Sequence, residues 1–194
     1  YCLVYFSNTP FDQAIIIGVS TSLASMVITG AMAAYAHSKN HNVDYAIVKI
    51  FIPGLIIGSL VIGFFIKSIP GDLLKYFFIL YAFTIAYKLF KHQEVLKKST
   101  LPNQLLSNVI SFVFSIISGI VGIGGATLFV PFLVKNNIPP KLAIGTSSVL
   151  GFFIGLSASI AIYVGYLYSG LNNLQTFGFI YTPAILFLTL PSLI

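Results

Sequence analysis

Gly119-Ile120-Val121-Gly122-Ile123-Gly124-Gly125-Ala126-Thr127-Leu128-Phe129-Val130-Pro131 sits inside an apolar run that extends from Gln104 to Val134. By length alone that run reads as one long helix. Each interior glycine costs a helix about 1 kcal/mol and an interior proline about 3 relative to alanine, so the sequence predicts that the helix breaks here. What the break means depends on the solvent, because water would satisfy the freed amides and carbonyls and hydrocarbon would not.

The flanking sequence decides the solvent. Of 194 residues, 57% are hydrophobic and 7% charged, with a mean hydropathy of +0.97. A globular domain carries roughly 25% charged residues, so a soluble enzyme is excluded on composition. A spanning helix takes about 20 apolar residues, and outward from the glycine run the chain divides into about six such segments. These are A (Gln13 to Ala36), B (Tyr45 to Ile66), C (Leu73 to Phe90), D (Gln104 to Val134), E (Lys141 to Tyr168) and F, from near Phe179 to Ile194. Lys91 to Asn103 is the longest hydrophilic piece. The period-two alternation of a membrane barrel strand is absent. The expected fold is an all-α polytopic membrane protein, a helical bundle with glycine-broken helices.

Segments A and E look like copies. Gly18-Val19-Ser20-Thr21-Ser22 aligns with Ala143-Ile144-Gly145-Thr146-Ser147 at an offset of 125, and the same offset pairs Gly30 with Gly155 and Ala33 with Ala158. Ile52-Pro53-Gly54-Leu55 resembles Leu190-Pro191-Ser192-Leu193. Two internal repeats are therefore expected, 1–98 and 99–194, the first lacking its opening helical segment and the second its last ones, in a chain truncated at both ends. Tyr1 is followed by apolar residues without a basic leader, which does not resemble a signal peptide.

The ten basic residues are all lysines and collect between the apolar runs, as in cytoplasmic loops; a nucleic-acid partner is not expected. If segment D returned to the side it entered, Lys135 and Lys141 would share a side with Lys39 and the 91–103 linker. Segment E would then run opposite to segment A, the inverted-repeat plan of many secondary transporters.

Two motifs carry the candidate chemistry. The first is the break itself, Gly122, Gly124, Gly125 and Pro131, where a half-helix N-terminus presents partial positive charge to an anion; its competing reading is close helix packing by glycine. The second is Gly145-Thr146-Ser147 after Pro139-Pro140, matched by Thr21-Ser22 in the first half. Hydroxyls there donate to a substrate oxygen near the repeat axis, or else bond back to carbonyls of their own helix. The steps of four through Ser147, Gly151, Gly155 and Ser159, and the pairs Gly54/Gly58 and Ser59/Gly63, read as packing seams. Asp12, Asp44, Asp72, Glu94, His37, His41 and His92 all lie at or outside segment ends, so no proton relay or sodium site is visible inside the bilayer. No metal motif or cofactor motif is present. An uncharged lining of amides and hydroxyls favours a small anion.

These residues resemble the sulfite exporter TauE/SafE family of bacterial membrane transporters. The likeness rests on Gly122 to Pro131 and Ala143-Ile144-Gly145-Thr146-Ser147, with Thr21-Ser22-Leu23, His37, Asn42-Val43-Asp44-Tyr45 and Pro53-Gly54 in the first half. Ala126 and Ser20 stand where the family pattern has glycine. The resemblance implies a permease of the inner or plasma membrane, with no enzymatic activity, that exports small sulfur-containing or carboxylate anions by alternating access. A scaffold or accessory subunit without substrate is the alternative class, and an intramembrane enzyme would need a His or acid against Ser147 or Ser148.

Overall fold

The computed structural model describes residues 11–90 and 101–167, the pairs 176–177 and 180–181, and positions 185 and 189. The described residues form six α-helices: α1 (Phe11–Lys39), α2 (Tyr45–Phe65), α3 (Gly71–Phe90), α4 (Gln104–Val121), α5 (Ala126–Lys135) and α6 (Pro140–Leu167). A 3-10 turn, Ile66–Ser68, follows α2. The helical expectation has one exception: Thr176–Phe177 and Ile180–Tyr181 pair as a two-residue antiparallel ladder, built from β-branched and aromatic residues that suit strands. The rest of segment F, the Leu190 to Leu193 motif, residues 91–100 and residues 1–10 lie outside the described residues.

Four helices, Ala14–Lys39, Tyr45–Phe65, Gln104–Val121 and Pro140–Leu167, are long and apolar enough to cross a membrane. The 21 residues of α2 span roughly 31 Å at 1.5 Å per residue, matching a hydrocarbon core of about 30 Å. Burial follows the logic of lipid and inverts that of water. On α4 the buried residues are Ser107, Ser111, Ser115 and Ser118, at helical spacing on one face, while Leu105, Leu106, Val109 and Val113 point outward. A water-soluble helix turns its polar face out. On α3, Tyr76, Phe77, Phe78, Ile79, Leu80 and Phe83 are likewise exposed.

Local signals set the helix ends. Asp44 caps α2 by accepting from the amides of Ala46 (3.0 Å) and Ile47 (3.2 Å), and Asn103 caps α4 by accepting from the Leu106 amide at 3.1 Å. Gly122 ends α4 in the left-handed region, at φ 69°, its N–H donating to the Ser118 carbonyl at 2.9 Å. A side chain there would be strained, and glycine adopts the conformation freely.

Contacts without intervening side chains fix the helix directions. Added Cβ atoms at Gly54 and Gly58 would collide with the Asn108 and Phe112 carbonyl oxygens, and one at Gly119 with Ile62, so α2 and α4 run parallel. Gly63 meets Ala158 and Ala161, and the Ser59 and Ser157 hydroxyls meet at 2.5 Å, so α6 is parallel to α2. Gly145 meets Asn42 and His37, Gly30 meets Phe152, and Gly155 meets Leu23, Met26 and Val27, so α1 runs antiparallel to α6. Segment D therefore enters as α4, breaks, and returns as α5 to the end from which α6 starts. The exposed Lys39, Lys49, Lys135 and Lys141 all lie at that end. Between the helices sits an aromatic cluster in which Phe51 and Phe114 each meet Phe129 and Phe132 edge to face, centroids 5.2–6.0 Å apart.

Pro53 lies inside α2, and the following amide, Gly54 N–H, donates across the interface to the Asn108 side-chain carbonyl at 3.2 Å. Since Gly54 faces backbone and not a flexible side chain, Gly54→Ala is expected to force the helices apart at about 1–3 kcal/mol. Gly18→Ala, where a Cβ meets nothing within 4 Å, is expected to leave stability unchanged or slightly raised. Thermal melts of the two variants in one detergent measure the difference.

Candidate functional site

Two groups of residues come out of the predicted set, and they lie apart. The first surrounds the break. Gly122 packs on Val19 and Ser22 of α1, Gly124 on the Met26 sulfur, and Gly125 on Ile154 of α6 and Phe129 of α5. Two carbonyls at the break are claimed by hydroxyls: Ser22 Oγ donates to the Gly122 carbonyl at 2.6 Å, and Ser118 Oγ donates to that of Ile123. The carbonyls of Gly119, Ile120 and Val121, in the last turn of α4, have no donor among the described residues. α5 starts without a side-chain cap at Gly125, and the N–H groups of Gly124, Gly125 and Ala126 have no acceptor among the described residues. The first turn closes only from Thr127 onward, whose amide reaches the Gly124 carbonyl at 3.4 Å, followed by Leu128 and Phe129 to that of Gly125. The break thus leaves groups of both kinds without a partner among the described residues, the three donors lying at the positive end of a ten-residue helix.

Pro131 does not take part in the break. It lies within α5, exposed, so the glycines interrupt the helix and the proline is absorbed into it. Thr127, in the first turn of α5, hydrogen-bonds the Tyr81 hydroxyl of α3 at 2.6 Å.

The second group is at the lysine-bearing end. The Asp44 amide donates to Thr146 Oγ1 at 3.0 Å, and Gly145 lets the Asn42 carbonyl approach α6 more closely than any Cβ would allow. Gly145 and Thr146 thereby clamp the α1–α2 turn onto the start of α6. Thr21 Oγ1, at the position aligned with Thr146, donates back to the Ile17 carbonyl at 2.6 Å. The two Thr-Ser pairs do not meet. Gly145 contacts His37, whereas Thr21 lies sixteen residues earlier on α1, roughly 24 Å of helix at 1.5 Å per residue. The antiparallel crossing of α1 and α6 near Gly30 and Gly155 puts aligned residues at opposite ends.

Ser147 belongs between the groups. It is fully buried and its hydroxyl has no partner among the described residues. In helical projection, at 100° per residue, it falls between Gly151 and Ile154, the two α6 residues that face Gly125, one turn nearer the start of α6. Its neighbour Ser148 bonds back to the Ile144 carbonyl at 2.9 Å. Sequence reasoning missed Ser118, Asn108 and Tyr81. The serine spacing of α4 was the available signal for Ser118, but nothing in the sequence marks the partners of Asn108 and Tyr81. Among the described residues no three His, Cys, Asp or Glu side chains gather as metal ligands.

Comparison with known proteins fits this architecture. The model of the sulfite exporter TauE/SafE family matches residues 3–194. The chain belongs to the TauE/SafE family. It is 32% identical over 178 residues to a probable membrane transporter protein of Haemophilus influenzae, an alignment covering 90% of this chain and 66% of that one. It is 25% identical over 165 residues to the probable membrane transporter protein YunE of Bacillus subtilis, covering 75% and 60% of the two chains. Sulfite exporter TauE/SafE family protein 5 of Arabidopsis thaliana is 37% identical over 88 residues, 44% of this chain and 18% of that one. The chain thus spans about two thirds or less of these relatives. No solved structure matches. As a TauE/SafE member with four membrane-length apolar helices, the chain is a multi-pass integral membrane protein of a transporter family.

The clamp has a measurable strength. Thr146→Val keeps the shape and removes the acceptor of the Asp44 amide, which is expected to cost about 1–3 kcal/mol; Ser148→Ala, beside it, is expected to change stability by less than about 0.5 kcal/mol. Denaturant titration of both variants in micelles checks this.

Proposed function

We propose that this TauE/SafE member moves small anions, sulfite or related organosulfur and carboxylate anions, and exports them by alternating access across the inner or plasma membrane. The observation that carries the reading is the row of donors at the break: the amides of Gly124, Gly125 and Ala126, at the N-terminus of α5, have no acceptor among the described residues. Free donors at a helix N-terminus suit an acceptor-only ligand. Within the wider predicted set, Gly122 ends α4 at the break, Thr21 and Ser22 approach it from α1, Gly145 and Thr146 hold the adjoining end of α6, Pro131 lies within α5, and Ser147 supplies the spare hydroxyl. The antiparallel packing of α1 on α6 supports an inverted repeat, with halves 1–98 and 99–194. The lysines gathered at the α1 and α5 ends and the α2 and α6 starts support placing that end in the cytoplasm.

Direction has an energetic basis. An anion leaving an inside-negative cell gains about 2.3 kcal/mol per charge per 100 mV, so export needs no coupling ion or cofactor. The substrates enter this reading through the family name, and the chemistry of the break accounts for their charge.

Ser147→Ala separates transport from folding. A buried unpartnered hydroxyl costs about 1–3 kcal/mol, so its removal is expected to leave the fold as stable or more stable. Sulfite flux in proteoliposomes is expected to fall at least tenfold, as it is for Gly124→Leu. Unchanged flux in both variants, with wild-type stability, would remove the break and Ser147 from the transport path. A scaffold without substrate predicts no flux in the wild type.

A further inference from the structure

At one end of the bundle the helix directions bring together basic groups that are far apart in sequence. Lys39 ends α1, Lys49 lies in the second turn of α2, Lys135 ends α5 and Lys141 opens α6. All four are exposed, as is His41, with His37 half-buried against Gly145. None of the four lysines has an ion pair or hydrogen bond among the described residues. The one acid described at this end, Asp44, has a carboxylate oxygen occupied by the amides of Ala46 and Ile47. Sequence adjacency does not create this cluster: it exists because α5 returns beside α6 and α1 runs against it. The opposite end is different, since Asp72 stands close in sequence to Lys75, and Lys75 is partnered.

We infer that this rim is an electrostatic collector, which concentrates the anionic substrate at one mouth of the transporter before it reaches the break. The inference rests on the anion reading of the previous subsection and adds a role for residues outside the binding site. Like-signed charge around an entrance raises the local concentration of the opposite ion and speeds its capture, by a factor that falls steeply with ionic strength. Its reach is the Debye length, about 10 Å at 0.1 M salt and 3 Å at 1 M, so it needs no direct contact with the bound anion. Lys39, Lys135 and Lys141, from three different helices, are the residues assigned to it.

The test uses the full-length protein in vesicles of zwitterionic lipid, with radiolabelled sulfite and methanesulfonate as probes. Lys39→Gln, Lys135→Gln and Lys141→Gln are combined in one variant, with the corresponding triple Lys→Arg variant as control. At low salt the Gln variant is expected to show a KM about 3- to 10-fold above wild type with the maximal rate unchanged. The difference is expected to disappear near 1 M salt, and the Arg variant is expected to keep the wild-type KM. In inverted membrane vesicles, which expose the cytoplasmic face, the effect is expected on uptake, and in right-side-out vesicles it is not.

An unchanged KM at low salt, a loss confined to the maximal rate, or a shift seen only when anionic lipid is added would each overturn the collector. The last would assign the lysines to lipid headgroups. Wild-type protein that moves neither probe would overturn the anion reading itself, and the collector with it. Anion flux with a salt-insensitive KM would overturn the collector alone.

Discussion

A polar backbone group in hydrocarbon has no partner except another part of the protein, and nearly every contact in this bundle follows from that constraint. The serines of α4 turn inward because outward they would face lipid. Three of them spend their hydroxyls on carbonyls nearby in the chain, Ser111 to Asn108, Ser115 to Phe112 and Ser107 to Pro102. With the polar atoms folded back, the α4 surface is thin enough for Gly54 and Gly58 of α2 to lie against it. Association of helices in lipid lacks the hydrophobic driving force and depends on such close approach. The parallel arrangement of α2, α4 and α6 is the consequence.

The same constraint gives the break its chemical character. Ending a helix at Gly122 frees carbonyls and starting one at Ala126 frees amides. The protein supplies hydroxyl donors for two of the carbonyls, those of Gly122 and Ile123, from α1 through Ser22 and from α4 through Ser118. It supplies no acceptor for the three amides among the described residues. Ser, Thr, Asp and Asn are the favoured residues at that cap position, but a Cβ at Gly125 would press on Ile154 and Phe129. Glycine there keeps the amides free and lets Ile154 and Gly151 of α6 come close.

Much of this was legible in the sequence. The spans of α1, α2, α3 and α6 follow from apolar length, and the start of α6 from the Pro139-Pro140 pair; the caps Asp44 of α2 and Asn103 of α4 came only with the structure. The helix break followed from glycine density, and the return of α5 from Lys135 and Lys141. What the residues did not reveal was pairing. Thr21 and Thr146 occupy aligned positions yet do different work, because Thr146 accepts from the Asp44 amide across from it while Thr21 donates to the Ile17 carbonyl of its own helix. A repeat written in sequence does not imply that its copies touch; the crossing point decides that, and here it falls at Gly30 and Gly155, between the two motifs. Pro131 was misleading too: it lies at the sixth residue of α5 with its own position exposed, and the helix runs through it to Lys135, so the glycines alone make the break.

The distribution of close contacts also bears on where motion is available for the proposed alternation. A glycine pressed against backbone leaves no slack, and such contacts join α2 to α4, α2 to α6 and α1 to α6. These four helices therefore move as one body or not at all. Gly124 is different: its nearest neighbour is the flexible end of Met26, whose thioether adapts to changes of shape. Beyond it, α5 is held by edge-to-face aromatic contacts, which slide more readily than interlocked backbones, and by the Thr127–Tyr81 hydrogen bond to the sparsely buried α3. The part of the chain free to shift against the rigid body is thus the one whose first turn carries the free amides. Rotation about the glycines at 122, 124 and 125 would reorient those donors without breaking the α2, α4 and α6 interfaces. If the proposed binding site is the break, the element that binds and the element with room to move coincide, and an anion bound there would bias the equilibrium between two orientations through the contacts it makes in each.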